Sequence, residues 1–167
     1  MKKRTSMLMV LLLITLLTPG PVASACTNLI ITKGASKTGS VTICYTCDAS
    51  FPSHLAFLPG GDHEPGTFVT YPEMRARGVQ VKQVPHTYAV LASNGIGHMN
   101  EHQLAIGETT FGGRRGLNDP QGLHYADLIT LALQRCKTAR QAIKCIADLA
   151  AEYGYTQSGE SFSIGDT

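Results

Sequence analysis

The feature that most restricts the fold is a change of period late in the chain. Residues 124–136 (HYADLITLALQRC) and 138–154 (TARQAIKCIADLAAEYG) carry apolar side chains at i, i+3, i+4 and i+7, the spacing of one helix face. Thr138 is placed as an N-cap of the second stretch and Gly154 as its stop. The apolar runs before them are short and rich in β-branched residues: TNLIIT (27–32), SVTICYTC (40–47), TYAVLAS (87–93) and QLAIGETTF (103–111). Another such run, ESFSIGD (160–166), follows the helices. The polar, Pro- and Gly-rich region from residue 51 to 72 reads as a long loop with GTFVTY as a short strand. Helices with one apolar face set among strands must lie on a sheet, which makes the fold class α/β (α+β), a sheet covered by helices.

Residues 1–25 do not belong to that fold. Lys2, Lys3 and Arg4 precede an apolar run from Met7 to Leu17, then TPGP and the small residues Ala23-Ser24-Ala25. This is the plan of a secretory signal peptide cut after Ala25, and it predicts export. The apolar run is shorter than the roughly 20 residues a bilayer span needs, so no stable membrane span is expected after cleavage. Residues 26–167 then form a single domain of adequate size for one core. Losing the three basic residues leaves eleven Lys and Arg against twelve acids, so the net charge moves from +2 to −1. The mature chain has no basic excess to attract nucleic acid.

Cleavage there makes Cys26 the first residue. If KGASKTG closes a hairpin between the first two runs, paired positions sum to about 73, Cys26 faces Cys47 and Asp48 lies beside them. An α-amine has a pKa of about 7.7–8.0 and a thiol about 8.5, so the amine of Cys26 can take the proton of its own thiol near neutral pH. Asp48 is placed to orient that amine through a charge-assisted hydrogen bond. Three other readings remain open for Cys26: a cross-strand disulfide to Cys47, acylation as a lipid-anchored, non-catalytic surface protein, or simply the first residue of a strand. Five cysteines in an oxidising compartment leave at least one unpaired.

ACTNLIITKGASKTGS, CDAS, MNEHQLAIGETTFGGR, LALQRCKTARQAIK and GESFSI together resemble the N-terminal-nucleophile cysteine dipeptidases, the dipeptidase A family. The resemblance runs from Cys26 to the end of the chain. It implies a four-layer αββα sandwich and hydrolysis of dipeptides or short peptides without a cofactor. It also implies that Cys26 is the nucleophile and that Asp48 matches the Asp closing the second strand. Asn100 resembles the Asn of an N-E-x-x-L turn shared with penicillin and bile-salt acylases, where it helps form the oxyanion hole. Tyr45 stands where relatives often carry an arginine, and the family's chains are longer. The chain therefore reads as the N-terminal portion of such an enzyme, its sandwich incomplete, and marginally stable or self-associating on its own.

Other motifs are weighed against this. HMNEH (98–102) matches the inverted zinc-protease pattern, with His98 and His102 as ligands and Glu101 as base, if it is helical. Gly95 and Gly97 before it and a β-like run after it predict a turn instead, with both histidines flanking Asn100. CYTC (44–47) lies in a strand, where residues three apart face opposite sides, so no redox role is expected. Cys136 and Cys145 flank the turn between the helices, either bridged or as two buried thiols. Arg114 and Arg115 are solvated charges or carboxylate binders. Glu108 either pairs with a peptide's free amine or faces water at a strand end.

Overall fold

The computed structural model of the protein describes residues 26–47, 54–93, 96–157 and 159–167. Asp48, Gly95 and the signal segment lie outside the described residues. Among the described residues, no helix is long and apolar enough to cross a membrane.

Nine strands among the described residues form three sheets. β1 (Asn28–Ile31) and β2 (Thr42–Tyr45) make an antiparallel hairpin. A five-stranded antiparallel sheet has the order β3-β6-β7-β8-β9, built from Leu55–Leu58, Val90–Ser93, Ile96–Asn100, Ala105–Phe111 and Gly159–Gly165. β4 (Gly61–Asp62) and β5 (His86–Thr87) form a short ribbon beside it. The α-helices among the described residues are α1 (Pro72–Ala76), α2 (Tyr125–Arg135) and α3 (Ala139–Tyr153).

The helix pair arises where the period predicts it, and both helices start with a capping box. Thr138 and Gln141 exchange side-chain and backbone bonds at the start of α3, and Gly154, at φ +74°, ends it. His124 and Asp127 do the same for α2. Residues Leu128 to Leu133 are buried all round, because α2 is enclosed by the sheet, α3 and the segment that contributes Val69, Met74, Val79 and Val81. α3 buries only Ala142, Ile146 and Leu149. Arg77 donates to Asp127 and ties the α1 segment to the start of α2.

On the opposite face of the sheet, the hairpin crosses β8 and β9. Ile43 and Tyr45 sit over Gly107, and Val41 and Ile43 over Gly165. A Cβ at Gly107 would come within 2.8 Å of Ile43 and 3.1 Å of Tyr45, so the close approach of the two layers depends on glycine there. Helix pair, sheet and hairpin make an α+β sandwich. Among the described residues no second helical layer covers the hairpin.

Two expectations need correction. Residues 51–72 are not simply a loop: β3 and β4 lie there, and Pro72 opens α1. LAFL is too short to show a period, and it becomes a strand by pairing with β6, Ala56 against Ala92. The strand expected in GTFVTY is reduced to one bridge between Phe68 and Lys82. Val69 and Val81 are buried beside Met74, whereas Phe68 stays 47 % exposed, so one side only is drawn into the core.

Candidate active site

The hairpin register is the one its turn predicts. Asn28 faces Tyr45 and Ile31 faces Thr42, a sum of 73 at every rung. Two further bonds carry the pairing past the strands: Thr46 N–H donates to the Thr27 carbonyl at 3.0 Å, and Thr27 N–H donates to Thr46 Oγ1 at 3.0 Å. Cys26 and Cys47 are thereby brought to the same end of the hairpin. Cys26 is half-buried with a free thiol, so the cross-strand disulfide is not formed. A bond of 2.9 Å from Asn28 Nδ2 to Ser163 Oγ anchors this end of β1 to β9.

Tyr45 lies beneath that end. Burial first, then the charges of Glu108 and Cys47, Tyr125 and Cys26, push its phenol up to about 12. Tyr125, at the start of α2, is raised by burial and by Glu108, Glu160, Cys47 and Cys26. Cys26, Cys47, Glu108 and the two phenols thus share one electrostatic neighbourhood, and both phenols keep their protons at neutral pH. Among the described residues, none of the groups named as acting on either phenol is cationic.

The Tyr45 hydroxyl lies 3.2 Å from Nδ1 of His98. His98 belongs to β7 and is not the turn residue expected from the sequence. Leu91 pairs with Met99 but Ala92 with Gly97, so His98 is the extra residue of a β-bulge. A bulge re-aims a side chain, and here it aligns the imidazole with Tyr45. Burial lowers the pKa of His98 and keeps the ring neutral.

The zinc reading of HMNEH fails on local geometry. His98 to Asn100 are strand, Glu101 and His102 a turn, so the histidines share no helix face. Glu101 accepts from the Ala89 N–H at 2.9 Å, and the His102 ring packs edge-on to Tyr88 at 4.4 Å.

Asn100 is buried and fully engaged. Its Nδ2 donates to the carbonyls of Leu133 and Cys136, both at 2.7 Å, at the end of α2. Its Oδ1 accepts from the N–H groups of His102 at 3.0 Å and Leu104 at 3.1 Å. In this geometry the carboxamide ties the β7–β8 turn to α2 and has no N–H left for a substrate.

Glu108 does not face water: it is 3 % exposed, on the helix-facing side of β8. Arg114 is exposed on the loop after β8. Cys136 and Cys145 are free thiols joined by a hydrogen bond, which pushes Cys136 up and Cys145 down. Cys26 and Glu108 both act on the phenols of Tyr45 and Tyr125; the sequence did not single out Tyr125 or Glu160, and it marked His98 only as a zinc-ligand alternative or a turn residue. The departure at Tyr45, a phenol in the place of a guanidinium, was the one readable sign of an aromatic site.

A family model described as Peptidase family C69 matches residues 25–167.

Proposed function

The chain belongs to peptidase family C69, the dipeptidase A family, and so to the peptide-bond hydrolases, and from that premise we propose that it is exported, cut after Ala25, and hydrolyses dipeptides with Cys26 as nucleophile. The observation that carries this reading is the hairpin register, which sets the free, half-buried thiol of Cys26 at the end of the sandwich beside two protonated phenols.

Once cleaved, Cys26 carries an amine and a thiol on the same residue. The neutral amine takes the thiol proton, and Sγ attacks the peptide carbonyl carbon. The tetrahedral intermediate collapses as the ammonium returns its proton to the leaving amine, which leaves a thioester on Cys26. Water, deprotonated by the same amine, then releases the acid and regenerates the thiol. Asp48 orients the amine in this scheme. Asn100 serves it at one remove, by fixing the β7–β8 turn, and the phenol O–H of Tyr45 is the donor we place nearest the developing oxyanion. Arg114, free of the core, is the guanidinium for the peptide's carboxylate.

The test is mass analysis of the exported protein together with assay of Cys26→Ser. An unblocked Cys26 terminus is expected, with hydrolysis of Ala-Ala reduced at least about a hundredfold in the variant and an unchanged melting temperature. Diacylglycerol on Cys26 would support the lipid-anchored alternative instead. Undiminished turnover in the variant would remove Cys26 from the chemistry.

A further inference from the structure

Cys136 and Cys145 stand outside the chemistry of Cys26, and they touch each other. Cys136 closes α2, its N–H donating to the Ala132 carbonyl at 2.9 Å. Cys145 lies on α3, on the far side of the connection formed by residues 137 and 138. Both pack in the core between the helices, and their thiols share a hydrogen bond. Their access to solvent differs. Cys136 is 5 % exposed, whereas Cys145 is half-buried.

Arg135 adjoins the pair. It donates to the Lys82 carbonyl at 2.9 Å through one terminal nitrogen, and its Nε has no hydrogen-bond partner among the described residues. No carboxylate forms an ion pair with it among those residues, so its charge is left to act on the sulfurs. The hydrogen bond from Cys136, and then this charge, hold the Cys145 thiol below its ordinary value against burial and the charge of Asp148. The same bond, with burial, pushes Cys136 up. A partly accessible thiol beside a cation, backed by a second thiol, is the arrangement that reacts with disulfides.

We propose that Cys136 and Cys145 form a thiol–disulfide exchange site of the folded protein, in which Cys145 attacks an external disulfide and Cys136 closes a bridge from the end of α2 to α3. The oxidant is a low-molecular-weight disulfide such as oxidised glutathione, of the kind an oxidising compartment supplies. The Cys145 thiolate attacks one of its sulfurs, the external S–S bond breaks and one thiolate leaves. Capped in this way, Cys145 no longer holds the Cys136 proton, and the charge of Arg135 favours the second thiolate. Cys136 then attacks the Cys145 sulfur and expels the other external thiolate. Two cysteine thiols are oxidised, one external disulfide is reduced to two thiols, and the two protons go with them. The bridge closes a loop of ten residues, 136 to 145 inclusive. It also fastens the helix end whose Cys136 carbonyl accepts from Asn100 Nδ2 at 2.7 Å, and through Asn100 the β7–β8 turn. None of this depends on peptide hydrolysis.

The experiment treats the signal-cleaved protein, purified reduced and kept folded, with oxidised glutathione. Trypsin cuts after Arg135, Lys137 and Lys144, so the bridge joins the dipeptide Cys136-Lys137 to the peptide that begins at Cys145. Mass mapping is expected to find this joined pair, separated by dithiothreitol, in protein that melts no lower than the reduced form. The same map keeps apart any glutathione taken up by Cys26, Cys44 and Cys47. Cys136→Ser is expected to stop with one glutathione on Cys145, and in Cys145→Ser modification of Cys136 should be at least about tenfold slower. The parent protein decides the matter alone if either variant fails to fold. A bridge absent from the folded protein or formed only in urea would overturn the site. So would a bridge that lowers the melting temperature, or glutathione reaching Cys136 as fast as Cys145.

Discussion

Asn100 shows how much one side chain can hold. Two backbone carbonyls and two N–H groups, from a turn and from a helix end 33 to 36 residues away, converge on its carboxamide. Truncation would strand all four in a buried setting, where each unsatisfied polar group costs about 1–3 kcal/mol. Water reaching the cavity offsets part of this, so Asn100→Ala is expected to destabilise the protein by roughly 3 kcal/mol, read from urea unfolding. Asn100→Asp keeps the acceptor but turns two donors into acceptors facing carbonyls, and should be no better. A variant that lost activity yet unfolded like the parent would point to a direct catalytic part for Asn100. His124 is a second residue whose part is structural. Its Nδ1 accepts the Ala126 N–H at 3.3 Å, a bond open only to the neutral ring. Burial lowers its pKa from the ordinary 6.5. The unfolded chain then binds this proton more readily than the folded one, so the contribution of His124 is present above pH 6.5 and lost as pH falls through the lowered value. His124→Asn caps without titrating in this range. Its melting temperature should fall less steeply than the parent's between pH 7 and 5, and parallel curves would refute the assignment.

At the scale of elements, the candidate site depends on how closely the hairpin approaches β8 and β9. Gly107 and Gly165 leave room for Ile43, Tyr45 and Val41. Gly107→Ala forces Ile43 and Tyr45 to give way, an overpacking that costs typically about 1–3 kcal/mol. Tyr45 would be displaced together with the end of the hairpin that bears Cys26. Gly107→Ala should thus lower kcat/KM for a dipeptide by more than the loss of folded protein explains. Equal activity per folded molecule would show that the hairpin tolerates the shift. The helix pair, by contrast, is secured by its caps and an apolar interface. Loss of the cap in Thr138→Ala should cost about 1 kcal/mol in thermal or urea unfolding with no change in kcat.

For the whole molecule, the consequential surface is the part of the sheet that the hairpin does not cover. Leu55 and Phe57 on β3, Leu91 on β6 and Met99 on β7 are 75, 69, 44 and 43 % exposed. Phe57 is opposite Leu91, and Leu91 opposite Met99, so they form a row across three strands. Contiguous exposed apolar surface of this kind favours association. We expect the signal-cleaved chain to elute at a larger size with rising concentration. Phe57→Ser with Leu91→Ser should suppress this without lowering the melting temperature by more than about 2 °C. Concentration-independent elution of the parent would show that the face stays free in solution.

What the sequence determined by itself is what short-range physics controls. Turn length sets a hairpin's register, so the meeting of Cys26 with Cys47 was readable from KGASKTG. Apolar period and capping residues set α2 and α3, and a local alternation marked β8 and β9. Only the tertiary structure decided the remainder, because each piece joins residues far apart in the chain. The strand character of LAFL comes from β6. The bulge that turns His98 toward Tyr45 is a mismatch between two strands. The donors of Asn100 are claimed by a helix that no local pattern connects to it. Burial of Glu108, which turns an apparently solvated strand carboxylate into half of an acid pair, requires α2 above it and Glu160 beside it, 52 positions further along. Local patterns state which element a residue joins, but burial and partnership follow from packing between elements, where no single stretch of sequence carries the signal.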